Sequence, residues 1–373
     1  MDANPFAADD WHRITELLPS NWRDRAETLG LCRSLPSAQG ERAKLKDPGL
    51  LLRLVLHHVA TETPLAQTTA QAHAAGLVTV SPVALHKRMR TVAPWLAEMA
   101  ADLTASATAF ARERWAGFRV FATDATTGTR PGAIGTTARV HYRLELATLR
   151  PQQIYVTDAS EGEMLRRFKL ASKDLDLLDR AYCNPPDIAH AYAHGADVIV
   201  RFNRGTLPLY DRNGHIIDLV PKVLRLRRPG RVRAWSAWIH TVAGPIVMRV
   251  CAVRLSSEAA QRAQTWLRRE KGSDVTAADL EWARFLVVVT TVPAATLSHE
   301  QILELFRLRW QAELQIKRDK SIGGLDALPN FREDTIASWL SGKLLAQALA
   351  RKLATPAPFP PCATLENVSA YAA

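Results

Sequence analysis

The residues with the clearest chemical potential lie in one stretch, from Ser298 to Gly324. Ser298 and Gln301 form a capping-box pair, and the stretch contains good helix formers without proline or interior glycine, which predicts one continuous helix. At about 100° per residue, five side chains fall within an arc of roughly 80°. These are Phe306, Arg309, Glu313, Lys317 and Lys320. A carboxylate can hold a divalent metal and the cations beside it can hold phosphates, whereas the alternative is a solvated face of paired charges.

Two further carboxylates stand where predicted strands end. Gly117–Asp124 and Leu175–Asp179 both have a strand pattern that finishes on an aspartate. Transfer of a phosphodiester needs an activated oxygen nucleophile, a stabilised leaving oxygen and neutralised phosphate charge, and two Mg²⁺ ions about 3.5–4 Å apart provide all three. Hard cations take oxygen ligands, so Asp124, Asp179 and Glu313 are the candidate catalytic and metal-binding residues, for Mg²⁺ or, in its place, Mn²⁺.

Each aspartate also has a structural interpretation. Asp124 is followed by Ala-Thr-Thr-Gly and would cap a turn, while Asp179 would pair with Arg180 in a turn of its own. Asp176 competes with Asp179 for the role of second metal ligand. On the predicted helix, Trp310 either belongs to the core or stacks on a displaced base.

The segment from 117 to 202 has the pattern of an α/β core. Strands around residues 117–124, 140–146 and 154–156 precede a helix at 161–170, a strand at 175–179, a helix at 185–194 and a strand at 197–202. The order βββαβαβ is that of a ribonuclease H-like sheet. An apolar stripe that includes Leu305 and Ala312 would seat the later helix on this sheet.

Other segments indicate DNA contacts. In the helical N-terminal part, a short helix at 64–76 and a second helix that begins at Ser81-Pro82 have the outline of a helix-turn-helix, with an ordinary helical hairpin as the alternative. The second helix carries Lys87, Arg88 and Arg90. In the mainly β stretch 203–292, Arg227 and Arg228 belong to a basic turn that either faces the DNA backbone or is simply solvated.

The predicted fold is therefore a mixed α+β and α/β chain of four parts. These are a helical DNA-binding domain at 1–112, a catalytic core at 113–202 plus 293–353, a β insertion at 203–292 and a proline-rich tail at 354–373. A net charge of +11 favours a polyanionic partner, nucleic acid rather than membrane. The four scattered cysteines predict neither a zinc site nor a disulfide framework.

The C-terminal signature resembles that of DDE transposases of the insertion-sequence-four type. Phe306, Arg309, Glu313 and Lys320 reproduce the family spacing Y-(2)-R-(3)-E-(6)-K, with phenylalanine in place of tyrosine. LLDRAY around Asp179 resembles the segment of the second family aspartate, with alanine in place of glycine, and FATDAT around Asp124 stands where the first one does.

The resemblance implies cut-and-paste DNA transposition, in which a strand is cut at the element's end and the 3′-hydroxyl attacks target DNA. Arg309 and Lys320 would bind phosphates near the scissile bond, with Lys317 and Arg180 beside them, and Phe306 would pack against a sugar or base. The expected partners are double-stranded DNA, comprising the terminal inverted repeats and the target, and a second copy of the chain on paired ends. The expected location is the bacterial cytoplasm, at the nucleoid. The rival functions are a DNA-binding protein that does not cleave and a ribonuclease H-like nuclease without strand transfer.

Overall fold

The structure is a computed structural model, and it describes residues 11–32, 45–104, 115–321, 323–325, 328 and 333–353. The predicted tail at 354–373 lies outside these residues, as does the proposed junction between the first two domains at 112 and 113. Within the described part, no helix is long and apolar enough to cross a membrane.

Six helices form the described N-terminal part, at residues 11–32 and 45–104. They are α1 (Trp11–Leu17), α2 (Trp22–Thr28), α3 (Pro48–Thr61), α4 (Leu65–Ala74), α5 (Pro82–Met89) and α6 (Ala93–Thr104). The Asp47 side chain caps α3 by accepting from Gly49 N–H at 2.8 Å, and Ser81 caps α5 by accepting from Ala84 N–H at 3.1 Å. The α4–turn–α5 pair therefore lies where the sequence predicts it.

Among the residues that the structure describes, eight strands form one mixed sheet in the order β3-β2-β1-β4-β5-β8-β7-β6. The strands are β1 (Arg119–Gly128), β2 (Ala138–Glu145), β3 (Arg150–Asp158), β4 (Asp174–Leu178), β5 (Asp197–Arg201), β6 (Val232–Thr241), β7 (Gly244–Arg254) and β8 (Phe285–Thr290). β1, β4 and β5 are parallel, and β2 and β3 extend them antiparallel. With α7 (Pro185–Ala193) between β4 and β5, this is the predicted ribonuclease H-like core.

The helix predicted at 161–170 is wrong. The structure has only a 3₁₀ turn at Leu165–Arg167. Lys169 explains the difference, because its N–H and C=O both bond to the side chain of Gln153 on β3, at 2.9 and 2.7 Å. The Lys169 backbone groups therefore find their hydrogen-bond partners on the edge strand β3 instead of within a helix.

The stretch 203–292 contributes strands to the same sheet. β8 pairs with β5, β7 with β8 and β6 with β7, all antiparallel. Between and beside them lie α8 (Val220–Leu224), α9 (Ser257–Lys271) and α10 (Ala277–Trp282). Its strands thus continue the core sheet, and the division of the chain into four domains stays a prediction.

In the part of the chain described after β8 there are three helices, namely α11 (His299–Arg307), α12 (Trp310–Ser321) and α13 (Glu333–Leu353). The prediction of one helix from Ser298 to Gly324 is therefore wrong, although its cap is correct: Ser298 and Gln301 form the capping box. Arg309 N–H bonds to Phe306 C=O, and Ala312 N–H bonds to Arg309 C=O, both of the tighter i→i−3 type. The two helices meet at these tightened turns.

Candidate active site

The pairing of β1 with β4 brings two aspartates side by side. The last parallel pair is Thr123 with Leu178, so Asp124 directly follows this pair on one segment and Asp179 directly follows it on the other. β1 continues beyond this point to Gly128 in its pairing with β2, so the predicted end of the strand at Asp124 is wrong, and so is the interpretation of Asp124 as a turn cap. Buried apolar residues on both strands set this parallel register. The register in turn places the two carboxylates next to each other.

Strand alternation determines which face of the sheet Asp124 occupies. Val120 and Ala122 belong to the core cluster that contains Phe306 of α11 and Ala312 of α12. Successive side chains of a strand point to opposite faces, so Asp124 shares the face of Ala122 and lies toward α12. Glu313 is the residue after Ala312, and α12 therefore carries a third carboxylate to the same side of the sheet.

Arg309 joins two of these acids. Its Nη1 lies 3.4 Å from Asp124 Oδ2 and its Nη2 lies 2.5 Å from Glu313 Oε1. The Arg309 side chain is 13% exposed, and those of Asp124 and Glu313 are 18% and 45% exposed. One partly buried guanidinium thus bridges Glu313, four residues further along the chain, and Asp124, which lies 185 positions before the arginine.

The pKa of Arg309 shows that Asp179, the third acid, acts on the same guanidinium as Asp124 and Glu313. Burial lowers the pKa of the guanidinium, but attraction to the carboxylates of Asp179, Glu313 and Asp124 outweighs burial, and the pKa is raised. Asp179 is the largest of these attractive contributions. The three predicted catalytic acids therefore all attract the same guanidinium.

Burial raises the pKa of the Asp124 carboxyl from 3.8 to about 6. Arg309 and a hydrogen bond from Ala125 N–H oppose this rise. Repulsion from Glu163 and Asp179 adds to it. An acid that ionises near neutral pH in a partly buried site is typical of a functional centre.

The donor chemistry of the site fits a hard divalent cation. All three acids offer oxygen ligands, and Asp179 Oδ1 is buried without a hydrogen-bond partner among the described residues. As the side chains lie, no three His, Cys, Asp or Glu residues of the described part stand close enough together to hold a metal ion. The guanidinium of Arg309 lies between Asp124 and Glu313.

Asp176 is not the second site residue. Its side chain is fully buried and accepts from Arg143 Nε and Nη2 at 2.9 and 2.8 Å. It lies on the opposite face of the sheet from Asp124, because β4 alternates and Leu175 and Leu177 share the cluster of Ala122.

Two predicted DNA contacts lie inside the protein. The Phe306 side chain is 7% exposed and packs in the core, as expected for an apolar ring without a hydroxyl. The Arg88 side chain is 7% exposed and donates to the Leu31 carbonyl, because α5 turns this side chain toward the N-terminal core. Both side chains are buried as they lie, and their roles at DNA stay predictions.

The remaining predicted contacts are accessible to different degrees. Lys317 is exposed, while Lys320 and Trp310 are half-buried on α12. Arg180 is half-buried beside Asp179, and its Nε has no partner in the described residues. Further from the acids, four predicted contacts are exposed. These are Lys87 and Arg90 at α5 and Arg227 and Arg228 before β6.

Sequence reasoning missed one acid near the site. Glu163 is half-buried, and burial is the main cause of its raised pKa. Attraction to Arg139 opposes the rise, and repulsion from Asp179 adds to it. It also contributes to the raised pKa of Tyr182, for which burial is the main cause. Its segment had the pattern of a helix, and nothing in the residue types marked it.

A basic cleft of about 520 Å³ adjoins Asp179 and was also missed. Its lining combines five cations with two tryptophans. They are Arg180, Arg201, Arg204, Arg262, Lys271, Trp266 and Trp282. These residues come from separate segments that only the fold assembles, so no local sequence pattern predicts the cleft.

Comparisons with known proteins agree on one family. Residues 156–349 match the model of the transposase DDE domain. The chain is 30% identical to the putative transposase InsL of insertion sequence element IS186A from Escherichia coli K12, over 95% of this chain and 97% of that protein. It is equally similar to the IS421 transposase of Escherichia coli, with the same coverage.

More distant similarities were also found. The transposase of insertion sequence element IS231E from Bacillus thuringiensis subsp. finitimus is 24% identical over 46% of this chain and 40% of that protein. A solved structure, the piggyBac transposase synaptic complex with hairpin DNA, aligns with a TM-score of 0.39 and 9% identity, over 98% of this chain and 83% of that chain.

Proposed function

Because the chain belongs to the DDE transposase family of the insertion-sequence-four type, we propose that it cuts DNA at the terminal inverted repeats of its own insertion sequence. A 3′-hydroxyl freed there would be joined to target DNA, with Asp124, Asp179 and Glu313 as the catalytic residues. DNA transposition itself follows from family membership. The observation that best supports these three residues is the Arg309 guanidinium, which binds Asp124 and Glu313 and is attracted to Asp179.

Divalent metal dependence is general in this family, and we propose that the three carboxylates hold two Mg²⁺ ions, which Mn²⁺ can replace. When bound, the metal activates the attacking oxygen and neutralises charge on the leaving oxygen. The buried and unpartnered Asp179 Oδ1 supports this role, because a carboxylate oxygen without a hydrogen-bond partner is able to coordinate a cation.

The chain's own cations would orient the DNA at the acids. Arg309 offers a planar guanidinium that can bind a phosphate through two nitrogens, and it already lies within the acidic site. Lys317 and Lys320 follow along α12 and would bind phosphates further along the strand. Arg180 stands directly after Asp179 and lines the basic cleft, where the exposed Trp266 offers a face on which a base can stack. A stacking role for the half-buried Trp310 is proposed on the same grounds.

More distant surfaces would bind double-stranded DNA. α5 follows the short turn after α4, and its exposed Lys87 and neighbouring Arg90 fit phosphate contacts at a terminal repeat. The exposed Arg227 and Arg228 stand next to a second basic cleft of about 370 Å³, which Lys222 and Arg233 help to line. Because phosphate contacts carry no base information, these surfaces would position the duplex.

Two copies of the chain would work together, since both ends of an element must be cut. Their place of action would be the bacterial cytoplasm at the nucleoid, where the DNA substrate is found, and the Escherichia coli relatives support this location. A four-part organisation, with a DNA-binding domain ahead of the catalytic core, is proposed with the boundaries given above.

A nicking assay tests this function. A supercoiled plasmid carrying the gene between its native flanks is incubated with the protein, with Mg²⁺ or with EDTA. We expect nicks at the flanking repeats that need the metal, and a loss of at least about a hundredfold in Asp179→Asn and Glu313→Gln. Full activity in either variant contradicts the assignment.

Two control measurements separate the rival functions. Asp218→Asn changes an exposed acid outside the site and should cut like the wild type. DNA binding without metal-dependent cutting would support a non-cleaving protein. Cutting without joining of supplied 3′-hydroxyl ends would support a simple nuclease.

A further inference from the structure

A cluster of fully buried charges lies beneath the two aspartates, on the opposite face of the sheet. Arg143 of β2 donates from Nη2 to both Asp174 Oδ2 and Asp176 Oδ2, each at 2.8 Å. Its Nε donates to Asp176 Oδ1 at 2.9 Å. All three side chains are 0–1% exposed. Arg119 completes the cluster by donating to Asp174 Oδ1 at 2.9 Å from Nε.

Thr123 links this cluster to the site. Its Oγ1 donates to Asp176 Oδ1 at 2.8 Å, across from β1 to β4. Thr123 immediately precedes Asp124, and Asp176 stands three residues before Asp179. The bond therefore joins β1 to β4 shortly before Asp124 and Asp179 in the chain.

The cluster leaves little freedom to those strand ends. The Arg143 guanidinium lies 3.6 Å from the centre of the Phe121 ring, and its Nη1 reaches the Lys169 carbonyl at 3.4 Å. A buried charge that loses a partner is strongly disfavoured, so each strand that contributes to the cluster is held in register. β1, β2 and β4 are tied together at the level of Thr123.

We propose that Thr123, Asp176 and Arg143 are positioning residues, which hold β1 and β4 so that Asp124 and Asp179 meet at the distance their chemistry needs. The inference rests on the proposed function of those two aspartates. Displacements of about 1 Å at reacting groups can reduce rates about a hundredfold. Loss of the buried Thr123–Asp176 hydrogen bond, one residue from Asp124, should therefore lower the reaction rate as well as the stability.

Thr123 is the residue to test, because its hydroxyl can be removed without changing the buried shape. Thr123→Val deletes the hydrogen bond to Asp176, and Thr123→Ser keeps a hydroxyl. Thr123→Ala deletes the same bond without placing a methyl group beside the Asp176 carboxylate. Thr157→Val is the matched control, since it deletes a comparable cross-strand bond between Thr157 and His141 Nε2, 2.9 Å long, on β2 and β3 away from the acids.

Four quantities are measured on the full chain. They are the single-turnover nicking rate at saturating DNA, the DNA affinity, Mn²⁺ binding without DNA followed by paramagnetic resonance, and the thermal midpoint. For Thr123→Val and Thr123→Ala we expect nicking to fall about tenfold and half-saturation with Mn²⁺ to rise severalfold, with DNA affinity within about twofold of wild type. Thr123→Ser should recover most of both losses, and Thr157→Val should nick as the wild type does.

Three results would overturn the inference. They are wild-type nicking and Mn²⁺ binding in both Thr123→Val and Thr123→Ala, an equal loss in Thr123→Ser, or an equal loss in Thr157→Val. The Asp179→Asn variant separates this failure from failure of the proposed function. If Asp179→Asn is inactive and the Thr123 variants are not impaired, only the positioning role is wrong.

Discussion

Arg309 and Asp124 are 185 positions apart in the chain, and the Nη1 of one lies 3.4 Å from Oδ2 of the other. The contact links the third strand of the sheet order, β1, to the turn between α11 and α12. On its other side the same guanidinium binds Glu313. An arginine held between two acids in this way provides a cation at the proposed catalytic site, where it would bind a negatively charged phosphate.

Replacement of Arg309 should therefore affect the reaction more than the fold. In Arg309→Lys a single ammonium group replaces a planar fork and cannot bind both acids with the same geometry, so we expect nicking to fall at least about tenfold. Arg309→Ala should lose about a hundredfold or more, since no cation remains between the acids. Single-turnover nicking measures both, with thermal melting as the check on folding. Equal rates in wild type and Arg309→Ala would exclude a role for this residue.

The raised pKa of Asp124 predicts a particular pH dependence of stability. The unfolded carboxyl ionises near 3.8, whereas the folded one ionises near 6. Between these values the folded protein keeps a proton that the unfolded chain has released, so the free energy of unfolding falls as pH rises through this window and is level above it. The fall amounts to at most about 3 kcal/mol.

Urea unfolding in EDTA, at pH 4 and at pH 7, tests this dependence. The difference in unfolding free energy between wild type and Asp124→Asn should change between the two pH values, with the wild type relatively more stable at pH 4. A difference that is the same at both would show that Asp124 titrates at its ordinary value in the folded protein.

Arg88 and Lys87 are adjacent, and the structure predicts opposite behaviour for them. Arg88→Ala removes a buried side chain that donates to the Leu31 carbonyl, and we expect a loss of about 2–3 kcal/mol in stability. Lys87→Ala should leave stability unchanged and weaken DNA binding, with the slope of log affinity against log salt reduced by about one. Denaturant titration and salt-dependent binding assays distinguish the two. A reduced salt slope in Arg88→Ala without lost stability would place that side chain at DNA.

Phe306 stands at the position where the family signature has tyrosine. Because its ring is buried, Phe306→Tyr should bring a hydroxyl into an apolar core and lower stability by about 1–2 kcal/mol, without faster nicking. Melting and nicking are measured on the same preparation. A clear gain in nicking rate would mean that the ring edge reaches the substrate after all.

Much of the fold was predictable from residue patterns. Alternating and continuous apolar runs marked the strands, and the helix predicted between β4 and β5 could be expected to bring those two strands into parallel. The capping residues Ser81 and Ser298 correctly marked helix starts. These features depend on local chemistry, which the sequence displays directly.

Other features depend on contacts between distant segments. Neither proline nor glycine marks the end of α11, and only the tightened turns around Arg309 reveal it. Glu163 approaches the site because the edge of the sheet holds its segment out of a helix. The inward turn of Arg88 depends on the carbonyl of Leu31, which lies 57 residues away. Periodicity carries no information about such partners.

The measurement that tests the central claim most directly is Mn²⁺ binding, followed by paramagnetic resonance on the protein without DNA. If Asp124, Asp179 and Glu313 form one metal centre, then Asp124→Asn, Asp179→Asn and Glu313→Gln should each weaken binding at least about tenfold, while the exposed-acid control Asp218→Asn binds as the wild type does. Wild-type Mn²⁺ affinity in all three variants would contradict the account.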